Sequence, residues 1–158
     1  MLQEVSHMRK LLINDDIELR IKQIQAEHSF KREIGGILVG LYDADHESLR
    51  VTDISFPYSY DQRSQFRFLR KSNGHQELMD QLWEDSEHTK AYLGEWHTHN
   101  QDNPVPSMID RNTWKRIAKR NNNFDDSYFM IIGKKAFVVW TVSNGNIVEI
   151  YRGENDGK

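Results

Sequence analysis

The chain has 158 residues, with 21 Lys+Arg against 24 Asp+Glu and a formal net charge of −3. That length fits one domain, and the mixed, mildly acidic charge lacks the basic excess of a dedicated nucleic-acid or anionic-membrane binder. Cysteine is absent, which removes disulfides, thiolate metal sites and a cysteine nucleophile.

Met1 to Met8 has no basic segment followed by an apolar one, so it does not read as a signal peptide. No apolar run approaches the roughly 18 residues of a membrane span, and a cytoplasmic protein with no membrane partner is expected. Residues 1–8 are expected to be a flexible N-terminus, with Ser6-His7-Met8 a possible expression remnant. Leu11-Leu12-Ile13 then reads as a short strand closed by Asn14, Asp15 and Asp16. From Ile17 the spacing becomes Ile17, Ile21, Ile24, His28, the stripe of an amphipathic helix, with Asp15 or Asp16 as its N-cap. Ile37 to Tyr42 is a continuous apolar run, read as a buried strand, and Leu49 to Phe56 is a second strand.

Tyr58 to Gln65 is irregular and charged, and Phe66-Arg67-Phe68-Leu69 alternates like a half-buried strand. Gln76 to Glu87 is helical by its Leu78/Leu82 and Met79/Trp83 pairs, and Ala91 to Trp96 is a strand. Ser107 to Arg120 is a helix with Trp114, Ile117 and Ala118 on one side. Tyr128–Gly133, Ala136–Val142 and Ile147–Tyr151 form a closing antiparallel meander, with Ser143-Asn144-Gly145-Asn146 supplying the hairpin turn. The fold class is therefore mixed α+β in a single domain spanning 9–152, a mostly antiparallel curved sheet flanked by about three helices. Residues 153–158 are expected to be a flexible C-terminus.

The chemistry concentrates between Gly94 and Asp110. His97 and His99 sit two apart at a strand end, where alternation points both imidazoles to one face. A loop with Pro104 and Pro106 leads to a helix that starts at Ser107 and carries Asp110 in its first turn. Taken alone, Ser107-x-x-Asp110 is a helix cap and a lone strand-end histidine is a surface or packing residue. Together, two imidazoles and one carboxylate make a three-ligand zinc set with a fourth position open, the mark of a catalytic rather than a structural zinc. Asp102 is a less suitable ligand than the helix-anchored Asp110. Trp96 reads as core. Glu95 is a candidate for orienting an imidazole, but its separation from the ligands by Trp96 is read as turning it away. His75 and His88 read as surface residues, and His7, His28 and His46 have no partner pattern.

The string His97, His99, Ser107, Asp110 resembles the JAMM motif of the JAB/MPN metalloprotease family, whose members remove ubiquitin or ubiquitin-like proteins from conjugates. Glu33-Ile34-Gly35-Gly36-Ile37 resembles that family's upstream glutamate before a glycine-containing strand. The likeness runs from about residue 9 to 152. Asp61-x-Arg63-Ser64 and Trp114 resemble the bacterial branch that accompanies ubiquitin-like transfer enzymes in anti-phage operons such as CBASS. One departure is Asn100, where many relatives have proline after the second histidine; it bears on loop shape rather than on metal binding.

The resemblance implies one Zn2+ per chain held by His97, His99 and Asp110, with Glu33 as general base and Ser107 as oxyanion donor. The implied partners are a ubiquitin-like protein or conjugate as substrate, ubiquitin-activating and -conjugating-like enzymes, and a nucleotidyltransferase of the same operon. The implied activity is a zinc-dependent isopeptidase. In the resembled family the ubiquitin-like tail binds as an added strand, for which Tyr58–Leu69 and Asn100–Pro106 are the candidate platform. Two alternatives use the same fold: a JAMM peptidase acting on small-peptide or sulfur-carrier precursors, and a non-catalytic MPN scaffold. A nucleobase deaminase is excluded, since its zinc site needs a cysteine pair.

Overall fold

The computed structural model describes residues 9–44, 47–55, 80–87, 89–120 and 127–155. Among these, seven strands form one sheet in the order β1-β3-β2-β4-β5-β6-β7. The strands are β1 (Lys10–Ile13), β2 (Gly35–Tyr42), β3 (Ser48–Ile54), β4 (Ala91–Thr98), β5 (Tyr128–Ile132), β6 (Ala136–Ser143) and β7 (Asn146–Glu154). The helices are α1 (Asp15–Glu27), α2 (residues 80–85) and α3 (Met108–Arg120). Pairing is antiparallel except for β1–β3 and β4–β5, so the expected mixed α+β class holds.

β2 lies between β3 and β4 with both faces covered, which is why Ile37 to Leu41 reads as an unbroken apolar run rather than an alternation. One face of the sheet is covered by α1, whose Ile17 and Ile21 pack with Leu38, Val51, Trp96 and Met130. The other is covered by α3, whose Trp114 and Ile117 pack with Phe129, Ile131, Val138 and Trp140. Leu82 of α2 packs on Ile37 and Val39. The last hairpin turns through Asn144 (φ 51°) and Gly145 (φ 78°), two left-handed residues as a type I′ turn requires, so the turn expected at residues 143–146 is found.

Several boundaries differ from the sequence reading, among them the start of β2 at Gly35 rather than Ile37 and the end of β4 at Thr98 rather than Trp96, which places His97 inside the strand. The N-cap of α1 is Asn14, not Asp15 or Asp16, which lie inside the first turn, where their charge faces the positive helix end. Asn14 is extended and its carbonyl accepts the Ile17 and Glu18 N–H groups, while its side chain makes no cap and instead accepts from Arg50 of β3. β3 ends at Ile54: the Ser55 N–H still donates to the Ile37 carbonyl at 3.1 Å, but the return bond goes to its side chain, whose hydroxyl accepts the Ile37 N–H at 2.7 Å. β7 continues to Glu154, so Gly153 and Glu154 belong to the sheet rather than to a C-terminal tail. The expected strand at Phe66–Leu69, the platform at Tyr58–Leu69, Asp61 and Arg63, and His7, His46, His75 and His88 lie outside the described residues.

β4 meets β2 through a bulge: Leu38 pairs with Gly94 and Val39 with Tyr92, leaving Leu93 as the extra residue. Directly below the site, the parallel β4–β5 pairing brings Gly94 against Tyr128, and a Cβ at Gly94 would overlap the Tyr128 carbonyl. Gly94→Ala should therefore cost about 2 kcal/mol and lower the thermal midpoint by roughly 4–8 °C. A midpoint within 1 °C of wild type by circular dichroism, on the order of measurement error, would show that the two strands are not so closely apposed.

Candidate metal centre

The C-terminal end of β4 delivers two imidazoles to one face because His97 is inside the strand and His99 follows it by two residues. The His99 N–H is still held by the Ile132 carbonyl of β5 at 3.1 Å, so strand-like pairing continues past the formal end of β4. The chain then crosses the β5–β6 turn, where Lys134 N–H donates to Gln101 O and Lys135 N–H to Asp102 O. It re-enters the site at Ser107.

Ser107 and Asp110 form a reciprocal cap at the start of α3: Ser107 N–H donates to Asp110 Oδ2 at 2.8 Å, and Asp110 N–H to Ser107 Oγ at 3.1 Å. The capping reading and the ligand reading of this pair are thus both realised. With one oxygen fixed by the cap, the Asp110 carboxylate faces both histidines, His97 Nε2 to Oδ1 at 3.4 Å and His99 Nε2 to Oδ2 at 3.2 Å. The two Nε2 atoms are 3.1 Å apart. His97, His99 and Asp110 are 4%, 9% and 4% exposed, so three ionisable groups converge almost out of water.

These three separations are compatible with a metal site. Zinc with nitrogen and oxygen ligands at about 2.0–2.1 Å in tetrahedral geometry places its ligands about 3.3 Å apart. Asp110, His97 and His99 fit that spacing, and among the described residues they form the one cluster of three or more such groups that could hold a metal ion. Two neutral imidazoles and a carboxylate also match the donor preference of zinc.

Glu33 approaches from the other side of β4. It precedes β2, and the next residue, Ile34, is tied to β4 twice: its N–H donates to Thr98 Oγ1 at 3.1 Å and its carbonyl accepts the Thr98 N–H at 2.9 Å. This brings Glu33 Oε1 to 3.6 Å from His99 Nε2, with its side chain 52% exposed. The structure therefore brings together all five residues singled out from the sequence. Asp102 stays outside, exposed and 3.8 Å from Lys135. Trp96 is buried on the opposite face and donates to Ser55 O, as its core reading requires. His28 is apart from the site, bonded to Arg32 O.

Two residues require amendment. Glu95 is not turned away from the ligands: positions two apart share a face, so Glu95 lies beside His97, fully buried, with the Asp110 charge acting on it. Gln101 was not singled out, yet its Oε1 faces His99 Nδ1 at 3.3 Å and also accepts the Val105 N–H. It can accept the Nδ1–H and leave Nε2 free for the cluster. Its only sequence signal is the two-residue offset from His99.

A family model described as prokaryotic homologs of the JAB domain matches residues 20–149. The chain belongs to this prokaryotic JAB family. A Vibrio cholerae protein named CD-NTase/cGAS isopeptidase is 37% identical to this JAB domain over 128 residues, 80% of this chain and 78% of that one. A Pseudomonas aeruginosa protein of the same name is 33% identical over 107 residues, 68% of this chain and 66% of the relative. A JAB1/MPN domain protein from Archaeoglobus fulgidus superposes with a TM-score of 0.48 at 14% identity, covering 89% of this chain and 95% of that structure. No helix among the described residues is long and apolar enough to cross a membrane.

Electrostatically the JAB centre is a matched set. Burial pushes the Asp110 carboxyl up, but hydrogen bonds from His97 and His99, the His97 charge and the Ser107 N–H more than reverse this and hold it well below the carboxylate range. Burial pulls His99 down, but the Asp110 hydrogen bond and the charges of Asp110 and Glu33, with the Gln101 bond, raise it above its ordinary 6.5. A raised histidine contributes stability that is full below its unfolded value and lost as pH rises through its folded value, so metal-free protein should lose stability upward from pH 6.5. A metal needs the imidazole neutral, so zinc uptake should expel protons and tighten with rising pH. Calorimetry in buffers of different protonation heats should register that release; a zinc affinity unchanged between about pH 6 and 8 would contradict it.

Proposed function

We propose that this JAB domain is a zinc-dependent isopeptidase. In this reading it cleaves after the C-terminus of a ubiquitin-like protein, or of a protein conjugated in a ubiquitin-like manner, within a bacterial anti-phage system of the CBASS type. The observation that carries the reading is the His97–His99–Asp110 cluster at zinc spacing with Glu33 3.6 Å from His99. The relatives' name, CD-NTase/cGAS isopeptidase, supports an isopeptide bond as the target and a CD-NTase as the conjugated protein. Ubiquitin-activating and -conjugating-like enzymes would then make the bond that this domain breaks.

His97, His99 and Asp110 would hold the metal, which when bound would supply Lewis acidity and lower the pKa of water toward neutrality. The residues divide the remaining work. Glu33 is open to solvent, so it can take a proton from the attacking water and return it to the leaving amine as the C–N bond breaks. Ser107 Oγ already accepts the Asp110 N–H, which leaves its own hydroxyl hydrogen for the substrate carbonyl oxygen as that oxygen gains charge. Gln101 and the Asp110 carboxylate fix the His99 ring from its two nitrogens.

Elemental analysis should find about one zinc per chain, lost in a folded His97→Ala/His99→Ala double variant. Glu33→Gln should keep the metal and lower turnover by about 10²–10⁴-fold on a CD-NTase whose C-terminus is isopeptide-linked to a lysine reporter. Ser107→Ala should lower it by about 10²–10³-fold. A chain that takes up no zinc on reconstitution would displace this reading in favour of an interaction scaffold. Zinc uptake with activity on short peptides alone would favour a small-peptide peptidase.

A further inference from the structure

Two buried side chains among the described residues have polar atoms with no hydrogen-bond partner: Glu95, at both carboxyl oxygens, and Trp114, at its indole Nε1. Glu95 is 1% exposed and Trp114 0%. Neither belongs to the ligand set or to the proton-handling groups. Their positions are related. Glu95 precedes His97 by two residues on the same face of β4, and Trp114 follows Asp110 by four, one turn down α3. Both therefore lie one layer beneath the metal ligands, one on the strand and one on the helix.

Phe129 connects them. It is the register partner of Glu95 across the β4–β5 pair, and its ring stacks on Trp114 with centroids 4.9 Å apart and planes 12° from parallel. The two orphaned groups are also complementary, because an indole N–H only donates and a carboxyl oxygen accepts. Buried groups of this kind are seldom left unsatisfied, and an internal water with two or more polar partners is their usual complement.

We propose that the Glu95 carboxyl and the Trp114 indole N–H form one buried polar link, closed by a single internal water, that fixes β4 against α3 directly beneath the metal centre. Glu95 and Trp114 are then positioning residues: they act on the ligands by holding the strand that carries His97 and His99 in register with the helix that carries Asp110. The coupling to metal binding rests on the zinc reading given above. The link itself does not, because it can be observed in the metal-free protein.

The first test needs no substitution. In 15N-labelled wild type, the Trp114 indole N–H, assigned among the four tryptophans by Trp114→Phe, should exchange slowly and show an Overhauser contact to a long-lived water. Glu95→Gln keeps an acceptor and should preserve that resonance and the zinc affinity. Glu95→Leu should shift the resonance and speed its exchange. Glu95→Leu and Trp114→Phe should each weaken zinc binding by about tenfold in chelator competition, and the double variant should be no weaker than either. A fast-exchanging wild-type indole without a water contact would overturn the proposal, as would losses in the two single variants that multiply in the double. If Glu95→Leu does not fold, the wild-type Overhauser and exchange data decide alone. If the protein takes up no zinc or cleaves no conjugate, the zinc reading fails while the indole measurements still judge the link.

Discussion

The Asp110 carboxylate is the junction on which the site is assembled. One oxygen receives the Ser107 N–H and faces His99, and the other faces His97, so a single side chain joins the end of a loop, the first turn of α3, β4 and the residue just beyond it. A carboxylate in that role has to be aimed as well as present. The aim comes from the packing of α3, where Trp114 and Ile117 seat on Phe129, Ile131, Val138 and Trp140. The hydrophobic contact fixes where the helix lies, the cap fixes how it begins, and together they leave Asp110 one direction in which to point.

The flanks of β4 divide the site into a closed half and an open half. On the β5 side the loop from Gln101 to Pro104 lies against the strand turn at Gly133, with the ligands almost wholly removed from water. On the β2 side Glu33 stands half in solvent on a backbone pinned by the Ile34–Thr98 pair. This is a sensible separation of requirements. In the proposed reading, metal ligands would benefit from a low-dielectric enclosure that strengthens each electrostatic contact, whereas a group that exchanges protons with water and a departing amine must remain reachable.

How much of this could be read from the residues depends on the range of the interaction. Among the described residues, the helices, the strands and the closing hairpin were legible because Ile17/Ile21, the Ile37–Leu41 run and Asn144-Gly145 carry their information within a few positions. The grouping of the five candidate residues was legible because His97 and His99 are two apart at a strand end, Ser107 and Asp110 cap one helix start, and Glu33 precedes a distinctive glycine pair. What the residues did not reveal depends on long-range pairing. The insertion of β2 between β3 and β4 is set by packing on both faces, and the diversion of the Asn14 side chain to Arg50 requires β3 to be adjacent. Glu95 was misplaced by local reasoning that should have succeeded: strand alternation puts positions 95, 97 and 99 on one side, and intervening Trp96 belongs to the other.

The bulge at Leu93 gives β4 two phases. Up to and including Leu93, odd-numbered positions face α1: Ala91 pairs with Gly40, and Leu93 packs into that core. After it, even-numbered positions do so, with Trp96 in the α1 core and Glu95 and His97 turned toward α3. The strand thus changes parity just before it reaches the candidate ligands, and the face on which the histidines appear is decided locally, from Gly94 onward. The upstream half of β4 serves the general architecture of the sheet and the downstream half serves chemistry, joined by one residue that lets each keep its own count.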